Sequence, residues 1–377
     1  MNFAALDPIR VGEPTGIFQN WKGADRQIEM LSVEDARKAL GLTGKSRVIL
    51  PPEVRLFGEF MLRQNARKLT ARDVVKAYVL TMSSIQRQGI AATTALMSKG
   101  GVLLWPDPPE PKPVLTEERL PGRPPRTFEA YTTLRKKGAR VVQSEPKVRP
   151  ETYMAALLLS STGTRYLDAA ERGLFDHEAA LALSRAHQRF GKSGLNEYGA
   201  PTADPRAEGL YQQLQYAVAL AQRHNEVAAA LRNLPARDWS AWVRKNLRGV
   251  GPAKVGFIAA LLGRGDLPTA DAREIQFWWT NWRDFSSQKM KDGVPQFDKD
   301  GNPKWSAPTV KPEFVDTLAA RLKALNVQMP NALRKHYQHL VHHMVWDAAG
   351  GSHTTHADLI SAMDLAGIRR RGGRFPG

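Results

Sequence analysis

The stretch LRGVGPAKVG, residues 247–256, decides how this chain is read. Glycines flank Val250, a proline follows, and Lys254 comes soon after. The run before it, ARDWSAWVRKNL, has helical periodicity. PAKVGFIAALLG reads as a second helix with Pro252 in its first turn, where a missing N–H costs little. Glycine takes positive φ without penalty and lets another backbone come close. A helix, a tight Gly-x-Gly turn and a second helix therefore aim turn amides and a helix start outward together, a surface suited to phosphate. Arg248 and Lys254 flank that surface and add charge. The other reading is a buried packing turn, whose glycines only let two helices cross closely.

Composition bounds the choice. The chain has 377 residues, with 54 Lys plus Arg against 37 Asp plus Glu, a formal charge of +17. Such an excess favours a polyanionic partner, because each neutralised phosphate releases a condensed counterion. The basic residues recur over 135–140, at Arg244, Lys245 and Arg248, and over 369–374, a pattern that suits a folded basic face. There is no cysteine, so disulfides, thiolate zinc sites and thiolate-bound iron–sulfur clusters are excluded. No apolar run is long enough to span a membrane, and the opening MNFAALDPIR is read as no secretory signal. The expectation is a cytoplasmic, nucleoid-associated protein.

Outward from the turn, the chain reads mainly α. Ser32 with Asp35 looks like a helix cap, and Gly41 like its stop. Thr70 caps a helix expected over 71–87. Eight prolines between 106 and 125 exclude helix there and predict extended chain. From Glu151 the pattern is helical, in ETYMAALLLS, DHEAALALSRAHQRF and RAEGLYQQLQYAVALAQRHNEVAAALRNL. AREIQFWWTNW predicts a helix, KDGVPQFDKDGNPKW (291–305) a short β-hairpin insertion, and 312–325 and 330–348 two more helices.

Asp271 lies 20 positions after Gly251, in DLPTADAREIQFWW. With LRGVG upstream, the chain here resembles the helix-hairpin-helix DNA glycosylase superfamily, which contains endonuclease III-like and 8-oxoguanine glycosylases. The hairpin matches at Leu247, Gly249, Val250 and Gly251, and the acidic segment at Asp271. The likeness is clear over 238–285, rests on helical content alone over 150–370, and does not extend to the N-terminal region, 1–130. Arg248 replaces the family's usual proline. Members that also cut the strand carry a lysine two positions after the second glycine, which here is Ala253. Lys254 is one step on, rotated by about 100° on a helix.

The resemblance implies two helical subdomains with a helix-hairpin-helix motif and a catalytic cleft between them. It implies that Asp271 stabilises the positive charge that builds on deoxyribose as a base departs. The hairpin residues Leu247, Arg248, Gly249, Val250 and Gly251, with Lys254, would hold the DNA backbone. An extruded base needs a pocket, and Gln276, Phe277, Trp278 and Trp282 are the candidates, with Trp278 and Trp282 on one helical face and Trp279 beside them. An aromatic stripe is also what a core helix carries. Asp271 followed by Glu274 equally has capping-box spacing. In HYQHLVHHMVW, Leu333, Tyr337, Leu340, Val341 and Met344 make a core face, and His336, His339 and His343 are expected on a polar, DNA-facing or solvated flank without metal.

The expectation is thus a monofunctional DNA glycosylase acting on double-stranded DNA with a damaged or modified base, without cofactor or metal, as a monomer not bound to membrane. Its base is an oxidised purine or a hypermodified phage base. The expected layout is an accessory region at 1–105, of uncertain α+β fold, a Pro-rich basic strap at 106–148, the glycosylase domain at 149–367 and a basic tail at 368–377. The competing readings are a non-catalytic helix-hairpin-helix DNA-binding protein, in which Asp271 only caps its helix, and a basic structural or interaction protein.

Overall fold

The computed structural model describes residues 17–21, 24–27, 29–42, 50–83, 93, 97, 134–137, 140–143, 155–188, 205–291, 293–297, 301–306 and 312–348. The Pro-rich stretch 106–125 and the tail 368–377 lie outside them. The protein is mainly helical. In chain order the helices are α1 (Val33–Ala39), α2 (Pro52–Ala66), α3 (Ala71–Met82), α4 (Ser161–Glu171), α5 (His177–Gln188), α6 (Pro205–Gln222), α7 (His224–Asn233), α8 (Ala236–Asn246), α9 (Pro252–Leu261), α10 (Ala272–Trp278), α11 (Pro312–Ala324) and α12 (Tyr337–Ala348). The strands form separate antiparallel pairs: β1 (Ile17–Trp21) with β2 (Ala24–Gln27), β3 (Leu134–Lys137) with β4 (Arg140–Gln143), and β5 (Met290–Lys291) with β6 (Val294–Pro295). Among the described residues, no helix is long and apolar enough to cross a membrane.

The chain divides into two compact units, Met1–Lys68 with Ala229–Gly351, and Leu69–Ala228 with Ser352–Gly377. The first unit is assembled from two segments that the second unit separates in sequence, and local composition carries no trace of such a pairing.

In the second unit, α3 starts where Thr70 and Asp73 close a capping box: Thr70 Oγ1 accepts from Asp73 N–H, and Asp73 Oδ2 accepts from Thr70 N–H at 2.8 Å. Helix α3 packs on α6 and α4, and the Tyr166 hydroxyl of α4 donates to the Leu214 carbonyl of α6 at 2.8 Å.

In the first unit, Ser32 caps α1 and Gly41 follows it with φ +70°. Beyond Lys254, helix α9 is apolar on every side, the signature of a buried helix, and all of 255–261 is buried. It packs on α8, α2 and α12. Gly256 lets the chain at Leu267 and Pro268 pass close against α9: a Cβ there would sit 2.2 Å from the Pro268 carbonyl oxygen and 2.5 Å from its carbon. Backbone cannot retreat as a flexible side chain can. Gly256→Ala is therefore expected to cost about 1–3 kcal/mol or more through overpacking, while Gly251→Ala, with nothing within 4 Å of its Cβ, costs less than about 1 kcal/mol. Urea unfolding of both variants checks this; equal losses would contradict it.

The insertion forms as a hairpin whose pairing continues through a third segment, Pro303–Trp305, so that it spans 288–305. Strands β5 and β6 pair Met290 with Pro295 and Lys291 with Val294, around Gly293 at φ +79°. Single bridges, Gln288 to Trp305 and Phe297 to Pro303, complete it.

Candidate functional site: the glycine turn and Asp271

The turn between α8 and α9 is built by its sequence. Leu247 N–H donates to the Val243 carbonyl at 2.7 Å and ends α8. Gly249 takes φ +75°, which any other residue would occupy at a cost. Leu247 and Val250 are buried and pin the turn to the core, while Arg248 and Gly249 are exposed. The buried pair can thus offer only backbone to a ligand. Gly251 occupies the N-cap of α9, without a side-chain cap, at φ −85°. The second glycine is therefore needed for openness rather than for a left-handed backbone. Lys254 is half-buried, and its burial holds the ammonium pKa below the usual lysine value.

From α9 the chain passes behind Gly256 at Leu267 and Pro268 and reaches Asp271 at the N-cap of α10. Asp271 Oδ1 accepts from the backbone N–H of Arg273 at 2.9 Å and of Glu274 at 3.0 Å. Its Oδ2 accepts from Trp346 Nε1 at 2.7 Å, across from α12. The Arg273 guanidinium lies 4.5 Å from the centre of the Trp346 ring. The carboxylate is half-exposed and held on both oxygens. A fixed anion of this kind can stabilise positive charge developing beside it without first reorganising.

Glu274 does not close a capping box. Its side chain turns inward and is fully buried, accepting from Trp278 Nε1 at 3.0 Å and lying 2.9 Å from His342 Nδ1. Desolvation raises its carboxyl pKa, and His342 opposes the rise.

The aromatic run is cut short. Helix α10 ends at Trp278 because the chain leaves it to pair with the segment before α1: Leu31 N–H donates to the Trp278 carbonyl, Thr280 N–H to the Glu29 carbonyl, and Met30 bridges Trp279. Trp282 then opens a separate 3₁₀ turn, Trp282–Phe285, so it shares no helical face with Trp278. Phe277 and Trp278 are buried in the core, whereas Gln276 is exposed and Trp282 half-exposed.

The histidines also lie elsewhere than expected. His336, His339, His342 and His343 are all buried, rather than forming a solvated flank. His339 and His343 pack against Phe57 of α2, and His342 faces Glu274. Helix α12 is covered on more sides than its apolar stripe announces, since α2, α9, α10 and α11 all pack on it. Among the described residues, no group of three or more His, Asp or Glu is arranged to hold a metal ion.

Burial of neutral rings has a pH consequence. Desolvation lowers the pKa of His336 from 6.5 to about 4, and those of His339 and His343 well below 6.5. The unfolded chain binds these protons first, so the stability is full above pH 6.5 and drains as pH falls below it, by about 1.4 kcal/mol per pH unit for each histidine at the steepest. Glu274 works in the opposite sense: its raised pKa contributes stability at low pH that is lost as pH rises through the folded value. Three histidines outweigh one carboxyl. Urea midpoints are expected to drop steeply between about pH 6.5 and 5, and a flat profile would contradict the buried cluster.

No family model, no curated protein and no solved structure matches this chain.

Proposed function

We propose that this protein is a helix-hairpin-helix DNA glycosylase that removes a modified or damaged base from double-stranded DNA. The observation that carries the reading is Asp271: a half-exposed carboxylate at a helix N-terminus, held on both oxygens, downstream of a glycine turn with Gly249 in the left-handed region. The turn supplies outward backbone and Arg248 for a phosphate. Asp271 supplies the negative charge that a departing base requires of its surroundings. The +17 charge supplies the long-range attraction to a polyanion.

Hydrolysis proceeds in this reading by weakening of the N-glycosidic bond, build-up of positive charge on the sugar beside Asp271, and capture by water. Water's oxygen bonds to the sugar carbon, its proton passes to the carboxylate, and the base leaves with the bonding pair. The product is an abasic site. Ala253 stands where strand-cutting members carry a lysine, so base removal without strand cleavage is the proposed reaction. Oxidised purine is the proposed default substrate, and a hypermodified phage base the other. Since Phe277 and Trp278 are buried, Gln276 and Trp282 are the remaining pocket candidates on this segment.

The test is an incision assay on duplexes carrying a panel of modified bases, read with and without alkali. Breaks only after alkali are expected. Breaks without alkali would assign lyase chemistry to Lys254, whose burial-lowered pKa suits a nucleophilic amine. One observation favours a second reading, a non-catalytic DNA-binding protein: both Asp271 oxygens are already engaged, one by the Arg273 and Glu274 N–H and the other by Trp346 Nε1, as a purely structural cap would be. No base release from any duplex that the protein binds would favour that reading.

A further inference from the structure

A separate groove opens in the first unit, away from Asp271. Its cavity is about 820 Å³, the size range of pockets that hold a small ligand. Its walls are the end of α11, the loop to the 3₁₀ turn Asn331–His336, and the start of α12. Lys323, Arg334 and Lys335 all line it and are all exposed. No described carboxylate forms an ion pair with any of them. The single acid in the lining, Asp266, is already held in a fork by Arg264, at 2.7 and 2.8 Å. The groove therefore presents three cations uncompensated among the described residues, a concentration of like charge that favours an anion between them.

The walls are fixed in advance. Asn326, with φ +50°, is the only described non-glycine residue at positive φ, and it turns the chain out of α11. The next residue, Val327, donates its N–H to the Tyr337 hydroxyl at 2.9 Å, and that hydroxyl donates to the Leu322 carbonyl at 3.1 Å. Gln338 Oε1 is buried in the lining without a hydrogen-bond partner. Three uncompensated cations along one groove match phosphate, and the chain's +17 charge makes the phosphate of a nucleotide unit the ligand class they fit.

We infer that this groove binds nucleotide phosphate through Lys323, Arg334 and Lys335, as a second contact distinct from the glycine turn. The inference extends the nucleic-acid reading above but needs no catalysis at Asp271. The phosphate belongs either to a DNA strand running through the groove or to a free nucleotide seated in it. The test compares wild type with K323Q/R334Q/K335Q, and with the charge-keeping K323R/R334K/K335R, each checked for an unchanged melting temperature. Duplex binding is followed by fluorescence anisotropy over a salt series and dAMP binding by calorimetry.

A strand in the groove predicts that the Gln variant loses about 3 from the slope of log K against log salt, at about 0.9 per cation. The charge-keeping variant then keeps the wild-type slope. A free nucleotide predicts dAMP binding to wild type that the Gln variant lacks, with duplex affinity unchanged. Equal affinity of wild type and Gln variant for both duplex and dAMP overturns the inference. The glycosylase reading is judged separately, by base release at saturating duplex, which the Gln variant is expected to retain. Absence of release in wild type would sink that reading and leave the groove's result standing.

Discussion

Under the proposed glycosylase reading, Asp271→Asn is expected to reduce base release by at least about 100-fold, while duplex affinity stays close to wild type and the melting temperature falls modestly, because Trp346 Nε1 loses its acceptor. The substitution removes the charge and also replaces the oxygen that accepts from Trp346 Nε1 with an amide donor. Asparagine caps helices about as well as aspartate, so its side-chain oxygen can still accept from Arg273 and Glu274 N–H. What disappears is the anion that, in the proposed reaction, faces the sugar's developing positive charge. Single-turnover rates with alkaline work-up, beside anisotropy on the same duplex, separate the two roles. A variant that releases base as fast as wild type would leave Asp271 only its cap. A variant that unfolds would be uninformative by itself, and Asp271→Ser then serves, since serine also caps.

The largest stability loss is expected from His342→Leu. Glu274 and His342 are both fully buried, 2.9 Å apart. Removing the imidazole leaves a buried carboxyl with Trp278 Nε1 as its one remaining partner, and breaking such a pair costs roughly 3–5 kcal/mol. Protonation of Glu274 limits the loss, because burial already raises its pKa. The deficit should therefore widen as pH rises. Glu274→Gln in the same chain removes the charge but keeps an acceptor for Trp278, so the double variant is expected to recover most of the loss. Denaturant unfolding of the four-member cycle at about pH 6 and 8 measures it. A double variant as unstable as His342→Leu would show that packing, not the pair, carries the effect. Because Glu274 sits in the first turn after Asp271, the pair also sets how α10 meets α12.

Much of the local structure was legible along the chain. Ser32, Thr70, Pro252 and the glycines at positions 41 and 249 marked element ends because caps and left-handed turns are local, satisfied within a single turn of chain. The mainly helical class followed from periodicity alone. Asp271 at a helix start was likewise legible, since its cap bonds go to the next turn of chain.

What was not legible depended on partners far away in sequence. Trp346 reaching Asp271, and His342 reaching Glu274, join α12 to the head of α10 across two 3₁₀ turns, the β5–β6 hairpin and α11, a closure that no spacing rule encodes. The sequence points the histidines to a polar, DNA-facing or solvated flank because polarity is an average property. Burial is decided by how many neighbours surround a helix, and α12 is packed by α2, α9, α10 and α11. The end of α10 at Trp278 was hidden for the same reason. A strand-like partner at Glu29, Met30 and Leu31 competes for its last carbonyl, and that competitor lies far upstream, before α1.

LRGVGPAKVG shows the division within one stretch. By itself it determined a helix end, a turn needing positive φ at Gly249, and a helix start at Pro252, all set by steric limits on single residues. Only the tertiary structure decided what Gly256 is for. Its missing side chain admits the backbone of Pro268, and that contact delivers the following residues to Asp271 at the head of α10. A steric preference belongs to one residue and can be read from it; a close approach belongs to two segments and exists only once the chain has folded.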